Sequence, residues 1–259
     1  IEKTNEPRYI YEQSLNCMVE RDITYVPGLY KIFDEIIVNA RDHHVRDSSL
    51  KTIKVEINQQ EGYISVYNDG SGLEVEIHKQ HNVYIPELVF AHLLTSANYN
   101  KDENKITGGK NGFGAKLTNI YSKKFIIETV DSRKKIKKKY IQIFEDNMKI
   151  KNKPKITSNS SKSYTKITFY PDCSKFGIDG ITNDIVEVFK RRVYDLAGTM
   201  PNTVSVYYND NLIKQNTFEK YVGLYLNYYD ENKHVYEKVN DRWELVLTLS
   251  PPDSHFKHV

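Results

Sequence analysis

Apolar residues recur at helical spacing between positions 29 and 43. Leu29, Ile32, Phe33, Ile36, Ile37 and Ala40 fall on one face, which leaves Glu35, Asn39 and Asp42 on another. That pattern predicts an amphipathic helix carrying a carboxylate and a carboxamide at i and i+4, one above the other. Alternation with a period of two predicts strands at 52–57 and 63–67, joined as a hairpin across 58–62. Pro86 opens a second helix that runs through Leu88, Val89, Ala91, Leu93 and Leu94. A short apolar helical run follows at 115–120. Strands are predicted at 125–130, 140–144 and 165–170, an amphipathic helix at 181–197, and further strands at 204–207 and 243–249. The lysine-, serine- and asparagine-rich stretch 152–163 reads as a long loop, and no internal repeat is present. The expected architecture is a two-layer α/β sandwich.

Composition narrows the class. A chain of 259 residues with 39% hydrophobic and 27% charged residues buries a substantial core and does not resemble a disordered segment. Cys17 and Cys173 have neither metal-ligand spacing nor a disulfide framework, which favours a reducing compartment. His43-His44 and His78/His81 lack zinc-ligand company. No apolar run approaches the ~20 residues that span a bilayer. A net charge of +3 is too small to argue for nucleic-acid binding. Arg133 to Lys139 holds six basic residues in seven; it reads as a solvated hairpin tip, with DNA phosphate as the alternative partner.

The chemistry-bearing segment is Gly108-Gly109-Lys110-Asn111-Gly112-Phe113-Gly114-Ala115-Lys116, a glycine-rich loop leading into the helical run. Such a loop turns backbone N–H groups inward and suits a polyphosphate. It is not a Walker A loop, because Ala115 precedes Lys116 and Leu117 stands where Ser or Thr would hold magnesium. It lacks the third glycine of the dinucleotide fingerprint. A second glycine pair, in Asn68-Asp69-Gly70-Ser71-Gly72, follows the strand at 63–67 and places polar side chains at its end.

Glu35 and Asn39 on one helix, Asn68-Asp69-Gly70-Ser71-Gly72 after a strand and a later glycine-rich lid resemble the GHKL (Bergerat-type) ATP-binding superfamily. The run at 26–40, from Val26-Pro27-Gly28 through Asp34-Glu35 to Asn39-Ala40, is similar to its eukaryotic type IIA DNA topoisomerase branch. So are Leu93-Leu94-Thr95-Ser96-Ala97-Asn98-Tyr99, Lys105-Ile106-Thr107 with the lid, Ser163-Tyr164-Thr165-Lys166-Ile167-Thr168-Phe169, and Arg191-Arg192-Val193-Tyr194-Asp195. The resemblance runs from about residue 11 to the end. Ala97 departs from the usual serine, Lys110 stands where arginine is common, and the stretch 229–243 is short for the family.

What the resemblance implies is specific. The fold is a mixed, largely antiparallel sheet with helices on one face, with a GHKL domain at 1–250 and the start of a transducer domain at 251–259. Glu35 is the expected general base, against the alternative of a surface glutamate paired with Lys31. Asn39 is the expected magnesium ligand, Asn68 the adenine reader, and Ser96, Ala97 and Asn98 the ribose or phosphate contacts. Gly109, Lys110, Asn111, Gly112, Phe113, Gly114, Ala115 and Lys116 wrap the phosphates, Lys116 adding a point charge and Phe113 anchoring the lid in the core. ATP and Mg²⁺ are the expected ligands. A nuclear homodimer that closes on ATP and passes double-stranded DNA through a transient break is the expected setting. Slow turnover is expected without the transducer lysine. A MutL-type or heat-shock chaperone clamp is the alternative.

Overall fold

The computed structural model describes residues 2–92, 113–133, 136–226, 234–240 and 243–249. It opens with a hairpin, β1 (Thr4–Glu12) and β2 (Cys17–Tyr25), which forms its own two-stranded sheet. Helix α1 (Pro27–Arg46) follows, then the strands β3 (Thr52–Asn58) and β4 (Tyr63–Asp69), and the short helices α2 (Ile85–Ala91) and α3 (Gly114–Ile120). Next come β5 (Ser122–Asp131), β6 (Lys138–Glu145), β7 (Ile150–Lys151), β8 (Lys155–Ser158) and β9 (Tyr164–Pro171). Helix α4 (Asn183–Thr199), strands β10 (Ser205–Tyr208) and β11 (Asn211–Leu212) and helix α5 (Phe218–Gly223) complete the layered body. A last hairpin, β12 (His234–Asn240) and β13 (Trp243–Thr248), is a separate two-stranded sheet.

The nine-stranded sheet has the order β11-β10-β3-β4-β9-β5-β6-β7, with β8 also paired to β6. Only β10 and β3 run parallel among these pairs. The fold is therefore the expected mixed, largely antiparallel sheet. Its inner face is a set of cross-strand rows. Ile57, Ile64, Phe169, Phe125 and Phe144 form one, and Val55, Val66, Ile167, Ile127 and Gln142 the next. Their apolar members join the same buried cluster as Leu29, Ile32, Phe33, Ile36 and Ile37 of α1 and Ile185, Val188, Phe189 and Val193 of α4. Phe33 and Phe189 meet with ring centroids 4.2 Å apart and tie the two helices together. Each such side chain, fully buried, contributes on the order of 2 kcal/mol. The other face carries Lys54, Tyr67, Lys166 and Glu128 in register and remains largely polar.

Three details correct the sequence expectations. The stretch 152–163 is not all loop: β8 forms inside it and pairs with β6. The strand ending at 67 continues through Asn68 and Asp69, so the turn begins at Gly70. Helix α4 starts at Asn183, two residues later than predicted, because Thr182 caps it by accepting the Ile185 N–H. Strands β5 and β6 pair as the expected hairpin, with Arg133 and Lys137 of the basic run between them and Lys138 and Lys139 inside β6. Arg133 folds back there onto Asp131, Glu74 and Glu76 rather than projecting outward.

Candidate functional site

The third inner row of the sheet changes character. It reads Ile53, Asn68, Thr165, Thr129, Tyr140, with Asn68, Thr165 and Thr129 only 6%, 7% and 0% exposed. Two threonines and an asparagine at the end of a hydrophobic face make a polar wall where apolar packing stops. Thr129 Oγ1 lies 3.1 Å from Thr165 Oγ1 and 2.8 Å from the Tyr164 carbonyl oxygen, to which it donates. The Asn68 amide donates to the Asp69 carbonyl at 2.8 Å, which fixes which end of the carboxamide remains as acceptor.

The turn after this wall is pinned at almost every residue. Asp69 Oδ1 accepts the N–H groups of Lys51 and Thr52 at 2.7 and 2.8 Å and closes the start of β3. Asp47, just past the end of α1, accepts the Ser71 N–H at 2.6 Å and the Ser49 N–H at 3.0 Å. Hydrogen bonds from Ser49, outweighing burial and joined by those from Ser71, pull the Asp47 carboxyl down to about 2. Gly72 has φ +71°, and a Cβ there would overlap the Val130 carbonyl, so the position accepts only glycine. Leu73 N–H then donates to Thr129 Oγ1 at 2.9 Å, and Val75 N–H to Asp131 Oδ2 at 3.0 Å. Thr129 thus serves the wall and the turn together.

Helix α1 forms the facing wall. Pro27 lies at its first turn, and Lys31, Glu35 and Asn39 fall outside its buried apolar stripe. Glu35 Oε1 is 2.7 Å from Lys31 Nζ, so the pairing raised as an alternative to catalysis is present. Helix α3 crosses α1 at the same level. Thr118 Oγ1 donates to the Ile32 carbonyl at 2.8 Å, and Gly114 lies so close that a Cβ there would overlap the Glu35 carboxylate. A glycine at 114 is required for the first residue of α3 to sit on that carboxylate. Asn39, one turn further on, is half-buried, and its carboxamide has no hydrogen-bond partner among the described residues. Asp34, beside Glu35, is bound by Arg192 Nε of α4 at 2.7 Å, which anchors this turn from behind.

The structure brings together Glu35, Asn39, Gly114 and Ala115 on the helix side. Asn68 belongs to the sheet side. Ser96, Ala97, Asn98, Gly109, Lys110, Asn111 and Gly112 lie outside the described residues. One expectation needs correction. Phe113 is 37% exposed and does not anchor the core. Lys116, expected to add a point charge to the phosphates, is only 2% exposed, and its burial pushes the ammonium pKa down. Thr165 and Thr129 were read from sequence only as strand residues. The signal that finds them is cross-strand register, which a single strand does not display.

The histidine kinase-, DNA gyrase B- and HSP90-like ATPase family model matches residues 24–174, which span both walls, and the chain belongs to that family. Within it, the similarity is to the ATPase region of DNA topoisomerase 2. The Saccharomyces cerevisiae protein of that name is 45% identical over 96% of this chain, and the Dictyostelium discoideum protein, named as a probable DNA topoisomerase 2, is 49% identical over 100% of this chain. The solved ATPase region of the Saccharomyces cerevisiae enzyme superposes with a TM-score of 0.91 at 48% identity, covering 96% of this chain and 65% of that one. The ATPase and transducer domains of the Balamuthia mandrillaris enzyme give 0.90 at 44% identity, covering 96% and 63%. The chain spans 18% and 17% of the length of the two curated relatives. These similarities favour the topoisomerase branch over the MutL or chaperone alternative. The GHKL fold expected from the sequence is the fold observed.

Proposed function

We propose that this chain is the ATP-binding and ATP-hydrolysing gate domain of a type II DNA topoisomerase, and that its two walls divide binding from hydrolysis. The observation that carries the reading is the contact of Gly114 with Glu35, which sets the root of the glycine-rich lid against the only carboxylate of the Lys31, Glu35, Asn39 stripe.

The sheet wall reads the base. Asn68 offers a fixed acceptor to an exocyclic amine, while Thr165 and Thr129 supply hydroxyls in the same row. The helix wall handles the phosphates. Glu35 accepts a proton from the attacking water, and general bases of this kind contribute roughly 10²–10⁴-fold. Lys31 holds that carboxylate in place. Asn39 fits a magnesium ligand, because one turn from Glu35 it presents a hard carboxamide oxygen with no hydrogen-bond partner among the described residues. When bound, the ion neutralises charge that develops on the phosphates. Ser96, Ala97, Asn98 and the lid residues Gly109 to Lys116 complete the phosphate side in this reading, Lys116 through its backbone.

Closure on ATP joins two copies into a homodimer, and the full-length enzyme uses that closure to capture double-stranded DNA in the nucleus. The transducer begins near residue 251 in this scheme. Sedimentation of the chain with a non-hydrolysable ATP analogue and Mg²⁺ tests the reading. The expected result is a shift from one copy to two that Asn68→Ala abolishes. Absence of any nucleotide-dependent change, together with no measurable nucleotide binding, would overturn it.

A further inference from the structure

Helix α4 reaches the Glu35 turn of α1 through a series of alternating charges. Its register is set by aromatic packing: Phe33 of α1 meets Phe189 of α4 at 4.2 Å between ring centroids. Asp34 follows the first ring by one residue and Arg192 the second by three, which brings the two together. Arg192 Nε donates to Asp34 Oδ1 at 2.7 Å. The other oxygen of the same carboxylate, Oδ2, lies 3.5 Å from Lys31 Nζ, and that ammonium lies 2.7 Å from Glu35 Oε1. Guanidinium, carboxylate, ammonium and carboxylate thus succeed one another from α4 to Glu35. The platform behind them is itself held, since the Tyr221 hydroxyl of α5 donates to Asp195 Oδ1 of α4 at 2.7 Å.

We propose that Arg192 is a positioning residue for Glu35: through Asp34 it keeps Lys31 on the Glu35 carboxylate and so holds that carboxylate in one orientation. The role holds only with Glu35 as the general base proposed above. Unequal burial supports it. The Lys31 side chain is 62% exposed, whereas those of Asp34 and Arg192 are 16% and 20% exposed. An exposed lysine pairs weakly by itself, because water screens the attraction and one rotamer must be held against many. Asp34 gives Lys31 a second acceptor, and Arg192 fixes that acceptor from another helix. Without Arg192, Asp34 lacks its buried partner and draws the flexible Lys31 onto itself, which frees Glu35 to leave its productive position. The competing role is a staple between α1 and α4. Those helices already share a buried apolar cluster, and a buried ion pair adds little stability over apolar side chains of the same size.

Phosphate release from ATP is measured for the parent chain, Arg192→Met, Lys31→Met, the double variant, Arg192→Lys and Glu35→Gln, with nucleotide affinity and melting temperature alongside. Arg192→Met is expected to lower kcat by about threefold to tenfold, with KM and affinity within about twofold. Because the effect passes through Lys31, the double variant is no slower than Lys31→Met alone, whereas a staple would make the two losses multiply. Arg192→Lys keeps kcat within about twofold, since its Nζ stands one bond further out than the Nε that makes the contact. Asp34→Asn breaks the series at its middle and still offers Arg192 an acceptor, so it gives the same fall even if Arg192→Met does not fold. No hydrolysis by the parent chain, or hydrolysis that Glu35→Gln leaves unchanged, would overturn the general base and this role together. Hydrolysis that depends on Glu35 but is unchanged in Arg192→Met and Asp34→Asn, or losses that multiply in the double variant, would overturn the positioning role alone.

Discussion

The sheet wall and the helix wall of the site differ in how firmly their functional groups are held. On the sheet side, Asp47, Thr129 and Asp131 each accept a backbone N–H from the turn at 70–75, Asp69 accepts those of Lys51 and Thr52, Asn68 donates to the Asp69 carbonyl, and Gly72 lies against the Val130 carbonyl. On the helix side, Glu35 has a single flexible partner in Lys31, and Asn39 has none among the described residues. The rigid wall is suited to recognising a fixed shape, since its groups are ordered before the ligand arrives. The open wall is suited to phosphates and a metal, whose ligands must rearrange during the reaction. The contrast is also a contrast in tolerance: the first wall fails through stability, the second through rate.

Glu35→Gln tests the open wall most severely. It keeps the shape and removes the proposed base, so phosphate release is expected to fall by roughly 10²–10⁴-fold while nucleotide affinity stays within about threefold. A loss of affinity as large as the loss of rate would place Glu35 in binding. Gly114→Ala comes next. Its methyl overlaps the Glu35 carboxylate, and displacement of about 1 Å from a productive position costs on the order of 10²-fold in rate. The same substitution leaves Asn68-dependent affinity in place, which calorimetry reads separately.

Lys31→Met has a smaller effect, a fall of about three- to tenfold in turnover with unchanged nucleotide affinity, because it removes an orienting charge and no contact to the base-reading wall. Steady-state rates alongside binding constants separate this from a structural defect. An unchanged rate would make the pair incidental.

Asp47→Asn probes the rigid wall. The folded carboxyl titrates at about 2 against an ordinary 3.8, so its stabilisation is present above about pH 4 and is lost as the pH falls through about 2. With its partial exposure taken into account, the contribution is about 1 kcal/mol, or about 2–4 °C in melting temperature. Melting curves are expected to differ by that amount near pH 6 and to converge towards pH 2. A constant gap would assign the effect to packing.

The sequence displayed the helix wall far better than the sheet wall. Helix α1 was legible from six apolar residues at three- and four-residue spacing, and with it the stacking of Glu35 and Asn39. The central strands were legible from alternation. Their order and register were not, because pairing is set between strands up to a hundred residues apart, and so Thr165 and Thr129 could not be seen beside Asn68. The hairpin β1–β2 escaped notice because Thr4–Glu12 is mostly polar with Pro7 in its middle, a pattern that reads as loop. Strand β8 was hidden for a similar reason: an edge strand rich in polar residues lacks the apolar alternation that marks a half-buried one. The contact between Gly114 and Glu35 joins residues far apart in the chain, and neither residue alone announces it.

The division of labour between the walls is tested most directly by calorimetric titration of a non-hydrolysable ATP analogue, with and without Mg²⁺, into the parent chain, Asn39→Ala and Asn68→Ala. The expected result is that Asn39→Ala loses the magnesium-dependent gain in affinity and keeps the rest, while Asn68→Ala loses affinity whether or not the ion is present. Identical losses in both variants, or binding equal to the parent in both, would contradict the assignment of base recognition to the sheet and of phosphate and metal to the helix.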